Sequence, residues 1–186
     1  MQGTRGASLT GRQATGLPGG RRRLGILLAV AGAVAVTDQV TKAMALSALD
    51  GGRVVPVVDG VLRLRLVHNP GAAFGIGSSL TVVLVLIVIA VIAVILTMSR
   101  RLTSVPWAIA LGGMLGGAVG NLVDRMLRDP GPLRGHVVDF LELPNWPVFN
   151  VADASVVAGA LLIGVLSLRG VTYDGQRPRS EAGEKE

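Results

Sequence analysis

The sequence has no cysteine among its 186 residues and only two histidines, His68 and His136. The absence of cysteine excludes disulfides and thiolate metal ligands, and two histidines are too few for the usual zinc sites. Aromatic residues make up 3% of the chain, which leaves few side chains for stacking on nucleic-acid bases despite a formal charge of +6. We therefore expect no cofactor, no metal ion and no nucleic-acid partner.

Apolar residues are abundant instead, at 50% of the chain against 16% charged residues, and the mean hydropathy is +0.57. Four apolar runs are long enough to cross a bilayer, namely Leu24 to about Leu46, Leu80–Met98, Val105–Val123 and Val151–Leu168. Because lipid offers no partner to an unpaired backbone group, all four must be helices. The predicted fold class is an all-α membrane protein with four transmembrane helices.

The basic residues beside these runs predict the orientation. Arg21, Arg22 and Arg23 precede the first run, Arg100 and Arg101 separate the second from the third, and Arg169 follows the fourth. Short loops rich in Lys and Arg stay on the cytoplasmic side of a membrane. The pattern therefore places both termini in the cytoplasm and the other two loops outside.

The polar ends of the chain frame a single membrane domain. Residues 1–20 are rich in Gly, Thr and Ser, and residues 171–186 are polar and charged. We expect both ends to be disordered in the cytoplasm, with residues 21–170 forming the membrane domain. The basic start of the first run is also typical of a cleaved secretory signal, but three further spans favour an anchor.

The first outer loop has the alternation of a β-strand. Apolar and basic residues alternate over Val61–Val67, and Asp59 and Gly60 before them form a turn signal. This pattern predicts a small β-structure in the first outer loop, lying at the outer membrane surface.

Several ionisable residues lie within or beside the spans, where each must find a partner or a wet cavity. Asp38 and Lys42 are four residues apart in the first span and share one helical face. They form either a structural ion pair or part of a polar site.

The third span combines a small-residue ridge with a polar cluster. Glycines recur every four residues on two adjacent strides, at positions 112, 116 and 120 and at 113 and 117. Such spacing lets another helix approach closely. Asn121, Asp124 and Arg125 end this ridge, either as an interfacial pair or as part of a site.

Two further aspartates flank the start of the fourth span. Asp153 lies three residues after Asn150, on the same helical face, and Asn150 also suits the helix cap. Asp139 lies in apolar sequence between the third and fourth spans, where we expect a loop. Leu143–Pro147 reads as the turn that folds the chain back and brings the two aspartates together.

Two carboxyl groups held together do not both ionise easily, so one keeps a proton near neutral pH. Such a pair can take a proton from water while giving one to a carbonyl oxygen, and it can hydrolyse an amide without a metal. A small membrane proton or ion relay is the alternative. The second span counts against a relay, because it has no polar residue between Val83 and Leu96.

Five ordered segments resemble the bacterial lipoprotein signal peptidases, the type II signal peptidases. They are TDQVTK from Thr37, HNPGAAFG from His68, GGAVGNLVDR from Gly116, VVDF from Val137 and FNVADAS from Phe149. The resemblance covers residues 24 to 168. Family members are four-helix membrane aspartic peptidases with a small extracytoplasmic β-cradle.

The resemblance implies roles that spacing alone does not assign. It makes Asp139 and Asp153 the catalytic pair, and it makes eight other residues the support of the site: Asp38, Lys42, Asn69, Gly71, Asn121, Asp124, Arg125 and Asn150. It implies cleavage of diacylglyceryl-modified prolipoproteins on the amino side of the lipidated cysteine, at the outer face of the bacterial cytoplasmic membrane. Beyond these substrates and membrane lipids we expect no partner, and we expect a monomer.

Overall fold

The computed structural model describes residues 18–71 and 79–174, which form four long helices and a three-stranded sheet. The helices are α1 (Pro18–Ala48), α2 (Ser79–Ser99), α3 (Val105–Leu127) and α4 (Val151–Leu168). The strands are β1 (Val54–Val58), β2 (Leu62–Asn69) and β3 (Val137–Glu142), and a short 3₁₀ helix, Asp50–Gly52, precedes β1.

All four helices are long and apolar enough to span a membrane, which confirms the four predicted spans. The helix α1 has 31 residues. A helix of that length rises roughly 46 Å, about half as far again as the hydrocarbon core of a bilayer. One or both ends of α1 therefore project into the headgroup layers.

The helix α3 lies at the centre of the bundle and packs against the other three helices. Its two glycine strides face different neighbours. A side chain at Gly116 would lie 2.5 Å from the carbonyl oxygen of Ala31 in α1, and one at Gly117 would meet the carbonyl of Ala152 in α4. Glycine at these positions lets both helices approach the α3 backbone closely, as the spacing predicted.

The strands form one antiparallel sheet in the order β1-β2-β3. The hairpin between β1 and β2 turns at Asp59 and Gly60, as predicted, and Gly60 has a φ of 73°. The hairpin follows α1, and β3 lies between α3 and α4. The whole sheet therefore lies at the end of the bundle where α1 and α3 finish and α2 and α4 begin.

The strand β3 is a correction to the sequence analysis, which expected Asp139 in a loop. Val67 of β2 pairs with Asp139, and Asn69 pairs with Val137. The local pattern missed the strand because β3 has only six residues and four of them are buried without alternation. Its partner strand also lies about 70 residues earlier in the chain, beyond the reach of any local signal.

The opposite end of the bundle is closed by the residues that follow α4. The indole Nε1 of Trp107 donates to the carbonyl of Val171 at 2.8 Å, and the ring of Tyr173 lies 5.9 Å from that of Trp107. The backbone N–H of Thr103 donates to the carbonyl of Tyr173 at 2.8 Å. Residues 1–17 and 175–186 lie outside the described residues, so disorder of the chain ends stays a prediction.

Candidate active site

Asp139 and Asp153 line the same cavity, which has a volume of about 270 Å³. Asp139 comes from β3, and Asp153 from the first turn of α4. The cavity is also lined by Asn69, Asn121 and Arg125 and by apolar side chains of three elements: Leu84, Val85, Ile87, Val88, Leu122 and Val137. The two aspartates that were predicted to come together thus line one cavity, and the other side chains that line it are mostly apolar.

The connection between β3 and α4 brings these two carboxyl groups to one place. The chain turns at Pro144–Trp146, and Asn145 adopts a left-handed φ of 57°. Phe149 then pairs with Leu141, with backbone hydrogen bonds of 2.8 and 3.0 Å between the two residues. The start of α4 is therefore held beside the strand that carries Asp139.

Asp139 is almost completely buried, with 2% of its surface exposed. The Nδ2 of Asn69 donates to its Oδ2 at 2.9 Å, and the Nδ2 of Asn150 donates to its Oδ1 at 2.7 Å. Burial raises the pKa of Asp139 to about 6, and the charge of Asp153 adds to the rise. The hydrogen bonds from Asn69 and Asn150 and the charge of Lys42 oppose the rise in pKa. Asp139 therefore holds a proton more readily than an ordinary aspartate.

Asp153 is half-buried and occupies a different environment. The Nδ2 of Asn121 donates to its Oδ1 at 2.8 Å, and the backbone N–H of Asn150 donates to its Oδ2 at 3.2 Å. The carboxyl group also lies in the first turn of α4, where the helix dipole is positive. Both oxygens thus receive hydrogen bonds at a place that suits a negative charge.

Asn150 joins the two aspartates. Its Oδ1 accepts a hydrogen bond of 2.9 Å from the backbone N–H of Asp153, which is the helix cap expected from the sequence. Its Nδ2 donates to Asp139 and, at 3.1 Å, to the Oδ1 of Asn121. The same side-chain amide therefore caps α4 with its oxygen and contacts the candidate site with its nitrogen.

Lys42 lies at the centre of a fully buried ion cluster. Its Nζ is 2.7 Å from Asp38, 2.8 Å from Asp124 and 2.9 Å from the Oδ1 of Asn121. An ammonium group has three N–H donors, so each of them has an acceptor here. The predicted pair of Asp38 and Lys42 is present, and the cluster extends it to α3.

The two carboxylates of this cluster also hold backbone groups of other elements. The Oδ1 of Asp38 accepts a hydrogen bond of 2.9 Å from the backbone N–H of Ala152 in α4. Asp124 accepts from the backbone N–H of Val138 in β3 at 3.2 Å and from the Nε of Arg128 at 2.6 Å. Asp38 and Asp124 therefore fix α4 and β3, the two elements that carry the candidate pair.

Arg125 ties the end of β2 to the loop before β3. Its Nη1 donates to the carbonyls of Asn69 at 3.0 Å and Gly135 at 2.9 Å. Gly71 packs against the same guanidinium, because a side chain there would lie 2.8 Å from the Nη2 of Arg125. Gly71 also has a φ of 86° and donates its N–H to the Oδ1 of Asn69 at 2.8 Å. The rest of the HNPGAAFG segment, from residue 72, lies outside the described residues.

The structure gathers all ten predicted site residues around one cavity, in two layers. Five line the cavity, and Gly71 packs against one of these five. The remaining four lie one or two contacts away: Asp38, Lys42, Asp124 and Asn150.

Sequence reasoning missed two polar residues of this region, Gln39 and Arg128. The Nε2 of Gln39 donates to the carbonyl of Gly120 at 3.0 Å and reaches Asp124 at 3.3 Å. Arg128 lies four residues after Asp124, a spacing that could have identified the pair. Within residues 18–71 and 79–174, no group of three or more His, Asp or Glu side chains is placed to hold a metal ion.

Comparisons with known proteins agree on one family. The family profile described as "Signal peptidase (SPase) II" matches residues 30–169. A "Lipoprotein signal peptidase" of Mycobacterium avium is 52% identical over 162 residues, covering 86% of this chain and 89% of that protein. The protein of the same name from Mycolicibacterium smegmatis is 50% identical over 166 residues, covering 88% of this chain and 71% of its own.

A solved structure is also similar across most of the chain. It is described as a bacterial membrane enzyme determined by the in meso method at 2.3 Å resolution. The two chains share 28% sequence identity with a TM-score of 0.70, and the match covers 87% of this chain and 94% of the other. The arrangement of helices and sheet is therefore that of a known membrane enzyme.

Proposed function

Because this chain belongs to the signal peptidase II family of membrane peptidases, we propose that it removes signal peptides from diacylglyceryl-modified prolipoproteins. Cleavage takes place on the amino side of the lipidated cysteine, and water activated by Asp139 and Asp153 performs it. The observation that carries the proposal is the cavity that both carboxyl groups line, beside an apolar wall.

The environments of the two carboxyl groups support different roles. The raised pKa of Asp139 suits the member that keeps the proton and gives it to the scissile carbonyl oxygen. Asp153 then takes a proton from the attacking water, since both of its oxygens accept hydrogen bonds at a helix N-terminus. In the resulting tetrahedral intermediate the C–N bond breaks as Asp153 gives its proton to the departing amine of the lipidated cysteine. A hydroxyl group of the intermediate returns a proton to Asp139 as the new carboxyl group forms, which restores the pair.

The amides around the pair position its carboxyl groups. Asn69 and Asn150 donate to Asp139, and Asn121 donates to Asp153. Each carboxyl group is thereby oriented before the substrate arrives, which is the condition for efficient acid–base catalysis. Lys42 holds Asn121 in turn, and its two aspartate partners hold the backbone of α4 and β3.

The helix α2 forms the apolar wall of the cavity, and the substrate reaches the site beside this helix. It packs against α3 and has little contact with the rest of the described chain. Its residues Leu84 and Ile87 line the cavity and are 38% and 53% exposed. A signal segment can therefore approach laterally from the bilayer beside α2, while the diacylglyceryl group of the cysteine stays among the lipids.

The protein lies in the bacterial cytoplasmic membrane with both termini in the cytoplasm and the site near the outer face. The short connection between α2 and α3 supports this orientation, since it carries two arginines and no acidic residue, whereas three arginines at the sheet end are held in ion pairs. Arg21–Arg23, Arg100 and Arg169 lie at the end of the bundle opposite the sheet. The positive-inside rule places that end in the cytoplasm and the aspartate pair outside.

The proposal is tested by incubating the purified protein with one prolipoprotein in two forms, with and without its diacylglyceryl group. We expect cleavage of the lipidated form alone, at the bond before the modified cysteine, with the product identified by mass spectrometry. The same assay with EDTA should give an unchanged rate. Cleavage of both forms at equal rates would contradict the proposed substrate, and loss of activity in EDTA would contradict the proposed chemistry.

A further inference from the structure

A second polar cavity lies on the face of the sheet away from Asp139 and Asp153. Its volume is about 380 Å³, and it is lined by His68, Arg128, Asp129 and His136 together with Leu46 and Leu127. We call it the histidine cavity. Successive residues of a strand point to opposite faces, so His68 faces this cavity while its neighbour Asn69 faces Asp139. The histidine cavity is thus separate from the candidate active site.

The polar side chains of the histidine cavity are available for a ligand. Among residues 18–71 and 79–174, the side chains of His68, His136 and Asp129 have no hydrogen-bond partner. Arg128 bonds Asp124 through its Nε alone, which leaves both terminal nitrogens of its guanidinium without a partner in the described chain. One guanidinium, one carboxylate and two imidazoles therefore face a common space.

The histidine cavity lies at the level where the helices leave the bilayer. The last residue of α3 is Leu127, and Leu46 lies in the last turn of α1. Leu127 is 79% exposed and gives the cavity an apolar edge on the side of the helices. The ends of membrane-spanning helices meet the polar headgroups of lipids. The cavity therefore has an acyl-chain side and a headgroup side.

The charges in the cavity match one class of headgroup. Arg128 carries a positive charge and Asp129 a negative one, so the lining is balanced when the histidines are neutral. A guanidinium suits the oxygens of a phosphodiester, and imidazole N–H groups add further donors to them. The carboxylate of Asp129 suits an ammonium group. We propose that the histidine cavity binds the zwitterionic headgroup of an aminophospholipid.

The test measures lipid retention by the full-length protein in detergent, using native mass spectrometry. Short-chain phosphatidylethanolamine is compared with phosphatidylglycerol of the same acyl length, which has the phosphodiester but no amine. The wild-type protein should retain the ethanolamine lipid more strongly. Replacing Asp129 by Asn removes the partner of the ammonium group, and it should abolish this preference through about a tenfold loss of ethanolamine-lipid binding.

Two further variants complete the test. His136→Ala should weaken the binding of both lipids, because it removes a donor to the shared phosphodiester. Asp59→Asn is the matched control, since Asp59 is an exposed aspartate in the hairpin turn, outside the cavity. It should leave retention of both lipids unchanged, and all three variants should cleave a lipidated substrate in detergent at the wild-type rate.

Other outcomes would overturn the proposal. Equal retention of the two lipids by the wild-type protein would remove the assigned role of Asp129, as would an unchanged preference in Asp129→Asn. Inorganic phosphate and glycerophosphoethanolamine are added in separate samples to distinguish a lipid from a soluble ligand. Displacement of the ethanolamine lipid by an equal concentration of either would assign the cavity to a soluble ligand instead of a lipid.

Discussion

Lys42 donates a hydrogen bond of 2.9 Å to the Oδ1 of Asn121, deep within the bundle. The other end of the same amide donates to Asp153 at 2.8 Å. Because an ammonium group can only donate, Lys42 determines which end of the Asn121 side chain faces the cavity. A buried charge on α1 thus orients a donor that contacts Asp153, the member of the candidate catalytic pair that lies on α4.

The first prediction concerns the removal of that charge. Lys42→Met leaves Asp38 and Asp124 buried without their shared cation. Breaking a buried ion pair in this way costs about 3–5 kcal/mol of unfolding free energy. We expect a loss of that size when the protein is unfolded from mixed micelles by SDS.

A double variant checks the cause of that loss. Adding Asp38→Asn to Lys42→Met makes one of the two stranded carboxylates neutral, so part of the lost stability should return. The Asn side chain keeps an oxygen that can accept from the backbone N–H of Ala152. If the double variant instead loses the sum of the unfolding free energies that the two single variants lose, Asp38 and Lys42 do not stabilise each other, and the prediction is wrong.

The second prediction concerns the two aspartates of the cavity. Asp139→Asn and Asp153→Asn each keep the size of the side chain while removing its acid–base function. We expect each variant to lose about 10³-fold or more in cleavage rate, in line with the loss of a positioned acid or base. Both should keep a wild-type melting temperature within a few degrees. Asp59→Asn, at the exposed hairpin turn, should cleave normally. Turnover near the wild-type rate in either cavity variant would remove that residue from the mechanism.

Sequence patterns predicted the membrane architecture well, because each span is a local property of the chain. The glycine strides of α3 likewise predicted close helix contacts, although they did not show that Gly116 faces α1 while Gly117 faces α4. The choice of Asp139 over Asp124 could not come from local spacing. Both side chains are buried, and the difference lies in their partners: Asp124 is paired with two cations, whereas Asp139 accepts hydrogen bonds from amides and lines the cavity. Only the folded chain brings these partners together.

The third prediction is a pH dependence that follows from the raised pKa of Asp139. If Asp139 must be protonated for catalysis, kcat/KM should fall above about pH 6, approaching tenfold per pH unit. The hydrogen bond from Asn69 lowers this pKa, so Asn69→Ala should move the fall to higher pH in the remaining activity. A rate that stays level between pH 6 and pH 9 would show that Asp139 is not the protonated member.

The same shift affects stability, with a definite sign. The pKa of Asp139 is about 6 in the folded protein against the ordinary 3.8, so the folded state binds this proton more tightly than the unfolded state. Its contribution to the free energy of unfolding is complete below pH 3.8 and is lost as the pH rises to about 6. The change in stability over that range should be smaller in Asp139→Asn, which has no such proton.

The fourth prediction compares two glycines of α3. Gly116→Ala places a methyl group 2.5 Å from the carbonyl oxygen of Ala31, so α1 must move away. We expect a destabilisation of about 1–3 kcal/mol, the usual cost of overpacking. At Gly113 the nearest atom would be the carbonyl oxygen of Ser155 at 3.7 Å, an ordinary contact. Gly113→Ala should be neutral or stabilising by up to about 1 kcal/mol, because alanine favours the helix. Equal effects at the two positions, measured by SDS unfolding, would contradict the close α1–α3 contact.

The direction of the hydrogen bonds around the two aspartates has a consequence for proton transfer. Asn69, Asn121 and Asn150 all present N–H groups to the carboxyl oxygens. Within the described chain, none of these partners offers an atom that could accept a proton from the pair. As far as the described residues go, a proton released by one carboxyl group can therefore pass to the other carboxyl group or to whatever occupies the cavity. Among residues 18–71 and 79–174, the groups that bond the pair therefore form no relay that would carry this proton into the protein.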